Sequence, residues 1–197
     1  MKDIKDRMVR SAILTVTVLV MVIIALVYYK AKDPQVVDSE SKKVISMSIA
    51  ELETVELVDN TDESVKVTMR FGNTNKGLEL LERIAVNKTT GELVSDYGKD
   101  PSENSIRLFE FTLTSLDSVR TITKKATNIE QYGLEDPICE VSMVLKDGDK
   151  KRVRVGRRLV TSNNAYYMKL DDDDSIYVIS QFDMNNFLMT DANIINM

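Results

Sequence analysis

Apolar positions along this chain fall into three regimes: one unbroken run, several stretches of period-two alternation, and a helical stripe. The unbroken run is Ala12 to Tyr29, eighteen positions without a charge, a proline or a glycine. At ~1.5 Å rise per residue it makes a helix of roughly 27 Å, enough to cross a bilayer's hydrocarbon core. Residues 30–44 are polar and charged, with one proline and no apolar period, and read as a stalk.

Alternation starts beyond the stalk. Leu52 to Val58 is the first expected strand. Val65, Val67 and Met69 alternate with Lys66, Thr68 and Arg70 in a second that runs to Phe71, and the turn-rich DNTDES between them makes a hairpin. Residues 72–101 admit a short helix and turn or a second hairpin folding at Thr90-Gly91; the pattern leans to strands at 79–86 and 91–94. From Ser102, after Pro101, the residues Ile106, Phe109, Leu113, Leu116 and Val119 recur at three- and four-residue steps and predict a capped amphipathic helix. A short second helix, Asn128 to Tyr132, ends at Gly133, which suits a left-handed cap, and Pro137 bars its continuation. Period two then returns. ICEVSMVLK and KRVRVG flank the hairpin signal Asp147-Gly148-Asp149, AYYMKL and SIYVIS flank Asp171 to Asp174, and Gln181 to Met189 forms a last helix using Phe182, Phe187 and Leu188. The expected class is α+β: antiparallel hairpins with helices packed on one face, preceded by a single N-terminal transmembrane helix.

The cationic flank Lys2, Lys5, Arg7 and Arg10 keeps the N-terminus in the cytoplasm, and Tyr28 and Tyr29 suit the far interface. The reading is a cytoplasmic segment 1–11, an anchor 12–29 in the lipid bilayer, the stalk 30–44, an extracytoplasmic domain 45–190 and a tail 191–197. A cleaved signal peptide is the competing reading. Its apolar region is normally 7–15 residues, and cleavage after Ala31 would place bulky Tyr29 at the −3 position.

Charge is divided unevenly. Residues 1–30 hold five basic and two acidic side chains, leaving 21 basic against 29 acidic beyond them. An acidic exported domain is poorly suited to nucleic acid. The sequence has no histidine, which removes the usual general base and zinc ligand. Cys139, the single cysteine, allows no intramolecular disulfide and lies in a strand-like run as a buried structural thiol. No nucleophile triad, phosphate loop or CxxC pair occurs, so no catalytic, cofactor or metal residues are assigned and no cofactor is expected. Asp171 to Asp174 lack the alternating spacing of a calcium loop and read as a solvated turn. Arg152, Arg154, Arg157 and Arg158 concentrate positive charge in an acidic domain, with Arg152 and Arg154 on one strand face. Tyr166 and Tyr167 point to opposite faces, one expected in the core and one exposed. These six residues are the candidate interaction edge.

The order "helix, TNIEQYGLEDP, strand–DG–strand, VG, YYMKLDDDDSIYVIS, short helix" resembles the domain of unknown function DUF4340. Tyr132-Gly133-Leu134 with Pro137, Val155-Gly156, Tyr166-Tyr167 and Ile176-Tyr177-Val178 carry the likeness, which spans roughly 45–190 and is closest from 102 onward. It implies a membrane-anchored extracytoplasmic protein, in some cases beside ABC-transporter components of the gliding-motility type, and supplies no catalytic residue. Gly133 and Gly156 are expected to provide backbone angles at a helix end and a strand end. The function expected is a tethered interaction module, an accessory of an ABC-transporter-like or envelope complex. Its competitors are an independent binder of a cell-wall polymer or extracellular ligand, and a carboxylate-dependent envelope hydrolase.

Overall fold

The computed structural model describes residues 15–24, 40–123, 128–159 and 164–189. It divides at Pro34 into two compact units, Met1–Pro34 and Gln35–Met197. In the first, residues 15–24 form helix α1, exposed along its described length. Among the described residues no helix is long and apolar enough to cross a membrane. Residues 12–14 and 25–29 of the apolar run lie outside them.

The second unit is α+β, dominated by one antiparallel sheet. Strands β2 (Leu52–Asp59), β3 (Val65–Thr74) and β4 (Gly77–Asn87) form a meander. So do β7 (Cys139–Leu145), β8 (Lys150–Arg158), β9 (Ala165–Leu170) and β10 (Ile176–Ser180). The meanders join through their first strands, β2 antiparallel to β7, and β6 (Arg120–Thr123) closes the far edge, in the order β4-β3-β2-β7-β8-β9-β10-β6. Two antiparallel first strands side by side place an approximate two-fold axis between β2 and β7, relating β3 to β8 and β4 to β9. A separate two-stranded ribbon pairs β1 (Lys42–Ser46) with β5 (Ser115–Ser118).

Alternation explains which face is buried. Val65, Val67, Met69 and Phe71 on β3, and Cys139, Val141, Met143 and Leu145 on β7, all point inward. Helices α2 (Glu103–Thr114) and α3 (Gln181–Phe187) cover that face through Phe109, Leu113, Met184 and Phe187. Ser102 caps α2 by accepting from the Ser105 N–H, and Ser180 with Asp183 makes a capping box on α3. Among the described residues, the opposite, outer face is covered only beyond β8. There Tyr132, Leu134, Leu159, Tyr167, Ile176, Val178 and Ile122 form a second core.

Four expectations change. The helix predicted to run through Leu116 and Val119 ends at Thr114; the chain becomes β5, which buries Leu116 and leaves Val119 48% exposed. β1 begins inside the segment read as stalk, because Ile45 has a core place there. The strand expected at 91–94 is a single bridge, Val86 to Leu93. The last helix keeps Phe187 in the core but leaves Phe182 51% exposed, with Met184 buried instead.

Candidate functional site

Residues directly opposite in an antiparallel ladder point to the same side, so register alone builds the uncovered half of the outer face. Arg70 stands opposite Glu82 on β4 and Glu56 on β2. Glu56 stands opposite Ser142, and Ser142 opposite Arg152. Asp171, just past β9, donates its N–H to the Arg152 carbonyl at 3.0 Å. These six form one transverse row. A neighbouring row holds Thr54, Val144 and Lys150, with Leu81 lying over Gly72. A Cβ at position 72 would stand 3.1 Å from Leu81 Cδ1, so the glycine makes room for that side chain. Between the rows runs a groove of about 490 Å³.

The charges in the row are unequally matched. Arg70 donates to Glu56 Oε2 at 2.8 Å and Glu82 Oε2 at 2.9 Å. The Glu56 hydrogen bond first, and then the Glu56 and Glu82 charges, raise its pKa further. Arg154 Nη2 takes Asp171 Oδ1 at 2.6 Å, while its Nε is buried without an acceptor. Among the described residues Arg152 has only distant acidic neighbours, Glu140 at 3.7 Å and Asp171 at 3.6 Å.

The six residues expected to make a basic edge do not share one surface. β8 is an interior strand between β7 and β9, so it offers no sheet edge. Arg152 and Arg154 do share the outer face. Beyond them the register shifts between Val155 and Arg158, so that Gly156 and Arg157 together oppose Tyr167. Arg157 stays outside, donating to the Gln131 carbonyl at 2.8 Å and lying 5.5 Å from the Tyr167 ring centroid. Arg158 turns to the helix face, where its Nε meets Tyr166 Oη at 2.6 Å and its Nη2 meets Gln181 at 3.1 Å. Tyr166 and Tyr167 do point to opposite faces, but both are buried, each in a different core. The expectation of one exposed ring fails because this end of the sheet is covered on both sides.

Glycine chemistry divides similarly. Gly133 caps its 3-10 turn (Glu130–Tyr132) in the left-handed region, at φ 68°, as its position predicts. Gly156 has no such angle. It is required by proximity: a Cβ there would lie 2.2 Å from the Tyr132 carbonyl oxygen.

The acidic turn is tied into the fold. Asp171 serves Arg154, Asp172 lies 3.8 Å from Lys151, and Asp173 accepts from the Ser175 N–H at 2.7 Å and from the Tyr177 hydroxyl. Burial alone would raise Asp173, but the Tyr177 and Ser175 hydrogen bonds outweigh it and hold the carboxyl below its usual range. Among the described residues no group of three or more His, Cys, Asp or Glu is placed to hold a metal ion. Cys139 is fully buried, and burial first, with Asp59 and Glu140, pushes its thiol pKa well up, which favours the thiol over the thiolate.

The chain's second half, from within α2 onward, contains every element that carried the family likeness. Residues 107–197 match the domain of unknown function DUF4340. The DUF4340 match covers just under half of the chain, and β1 to β4 precede it. The groove is therefore built by both parts: Arg152 and Ser142 lie within the DUF4340 match, Glu56 and Arg70 before it. No curated protein matches the chain.

Proposed function

We propose that this chain is a membrane-tethered, extracytoplasmic interaction module, an accessory subunit of a membrane transport or envelope complex, and that the open half of its outer face receives the partner. The observation that carries this reading is the contrast across that face. Beyond β8 it is sealed by a second core, whereas over β2, β3, β7 and β8 it presents a groove of mixed apolar and charged side chains. The apolar run 12–29 with its cationic flank supports the tether and its orientation. Copurification from detergent-solubilised membranes, with protease added outside intact cells, tests the reading. Repeated recovery of specific membrane subunits and digestion beyond residue 30 are expected. A chain recovered alone, or fully protected, overturns it.

A further inference from the structure

The approximate two-fold axis maps Glu56 onto Ser142, Arg70 onto Arg152 and Glu82 onto Asp171. In one half, an arginine lies between two carboxylates at hydrogen-bond distance. In the other, the acid equivalent to Glu56 is replaced by Ser142, and the acid equivalent to Glu82 is committed to Arg154 at 2.6 Å. Arg152 therefore occupies the place of Arg70 with no carboxylate among the described residues closer than 3.6 Å, and 48% of its side chain is exposed. Lys150, beside it, makes no ion pair among the described residues, and Lys151 reaches Asp172 only at 3.8 Å.

We propose that the groove takes an extended acidic segment of a partner protein, and that a carboxylate of this segment completes the Arg152 site by filling the position left by Ser142. The inference rests on the interaction-module reading and specifies its partner. Arginine's planar fork binds a carboxylate through two parallel hydrogen bonds, which matches a site vacant on one side. Arg152 and Lys150 are the cations of this face that no carboxylate among the described residues approaches closely, so an acidic ligand complements them. Leu81, 67% exposed at one end of the groove, gives an apolar contact that a peptide side chain uses and a purely anionic polymer does not. The groove is open and mixes apolar with charged side chains, so electrostatics sets encounter and specificity more than raw affinity.

The test uses the full-length chain in detergent with three probes: a peptide of alternating Glu and Leu, its Gln–Leu counterpart, and inorganic polyphosphate. Fluorescence anisotropy should show the Glu–Leu peptide bound, weakening with salt, and the Gln–Leu peptide at least tenfold weaker. Arg152→Glu should reduce binding at least tenfold. So should Ser142→Glu, which restores the missing acid and closes the site without removing Arg152; an unchanged melting curve for that variant excludes misfolding as the cause. Binding indifferent to both variants, no binding of the Glu–Leu peptide, or tighter binding of polyphosphate overturns the proposal. Copurification separates the two readings. Wild-type recovery of membrane subunits by Arg152→Glu and Ser142→Glu defeats the docking site and leaves the module standing. A wild-type chain that recovers no subunit defeats the module, and the peptide titration still decides the groove.

Discussion

The two ends of the large sheet solve the same packing problem differently. At the β9–β10 end both faces are covered, so Tyr166, Tyr167, Met168, Ile176, Tyr177, Val178 and Ile179 are all buried. At the β2–β3 end one face is covered, and strict alternation leaves Glu56, Thr68 and Arg70 on the other. The first end draws its strength from apolar burial and close backbone contact, the second from inward side chains alone. Its outward residues take little part in the core, and they form the surface the proposed docking uses.

Truncation tests the contrast most strongly. Tyr167→Ala empties a fully buried site packed edge-on to Tyr132 at 5.1 Å between centroids, and should cost about 3–5 kcal/mol in denaturant unfolding. A loss under ~1 kcal/mol would mean that the second core is loosely held. Gly156→Ala comes next. The new methyl must displace the Tyr132 carbonyl, so the strand or the 3-10 turn moves, at about 3 kcal/mol. Gly133→Ala should cost about 2 kcal/mol, from the left-handed angle and from a Cβ that would stand 2.9 Å from the Arg157 backbone nitrogen, with Gly133→Val worse through β-branching. The order of these two alanine variants sharpens the comparison, because Gly156 meets backbone at 2.2 Å with an ordinary φ, whereas Gly133 adds a left-handed angle to a milder 2.9 Å approach. Arg70→Ala, at the open end, should change stability by less than about 1 kcal/mol despite its two ion pairs, since its side chain is 56% exposed.

The smallest effect is a pH dependence. Asp62, in the turn before β3, is held well below the usual carboxylate range, first by the Ser64 N–H, then by the Ser64 and Tyr97 hydroxyls. A depressed folded-state pKa gives stability that is complete above the unfolded value, near 4, and is lost as pH falls toward the folded one. Asp62→Asn should therefore flatten acid unfolding below about pH 4 and leave its slope near neutrality unchanged. An identical acid limb in both proteins would show that the turn is not tied to the sheet.

Much of the inward face was legible. Period two located β2, β3, β7 and β8, and the Asp147-Gly148 signal located their second hairpin, because half-buried strands write their alternation directly into the sequence. Gly133 was legible for an equally local reason. The double cover was also written, though read as alternation: YYM and IYVI are unbroken apolar runs, the mark of strands buried on both faces. β5 was hidden because Leu116 falls where a helical stripe would place it. β1 was hidden because KKVIS offers a single buried residue. The charged row was beyond reach of any local reading. Arg70 and Arg152 are brought into line by the pairing of β2 with β7, and sequence spacing carries no trace of that register.

The β1–β5 ribbon has a mechanical consequence. The chain enters β1 at Lys42, whose partner Ser118 lies just before β6, and the ribbon pairs with no strand of the eight-stranded sheet. Tension applied through the N-terminal segment meets the ribbon before any strand of that sheet. A transverse pull opens its pairs one at a time from Lys42, while a pull along the strand must shear Lys42, Lys43, Ile45 and Ser46 together. The Lys42 ammonium also reaches the Tyr177 hydroxyl on β10 at 3.3 Å and Ile45 lies in the main core, so the ribbon passes such a load on to the large sheet as it yields.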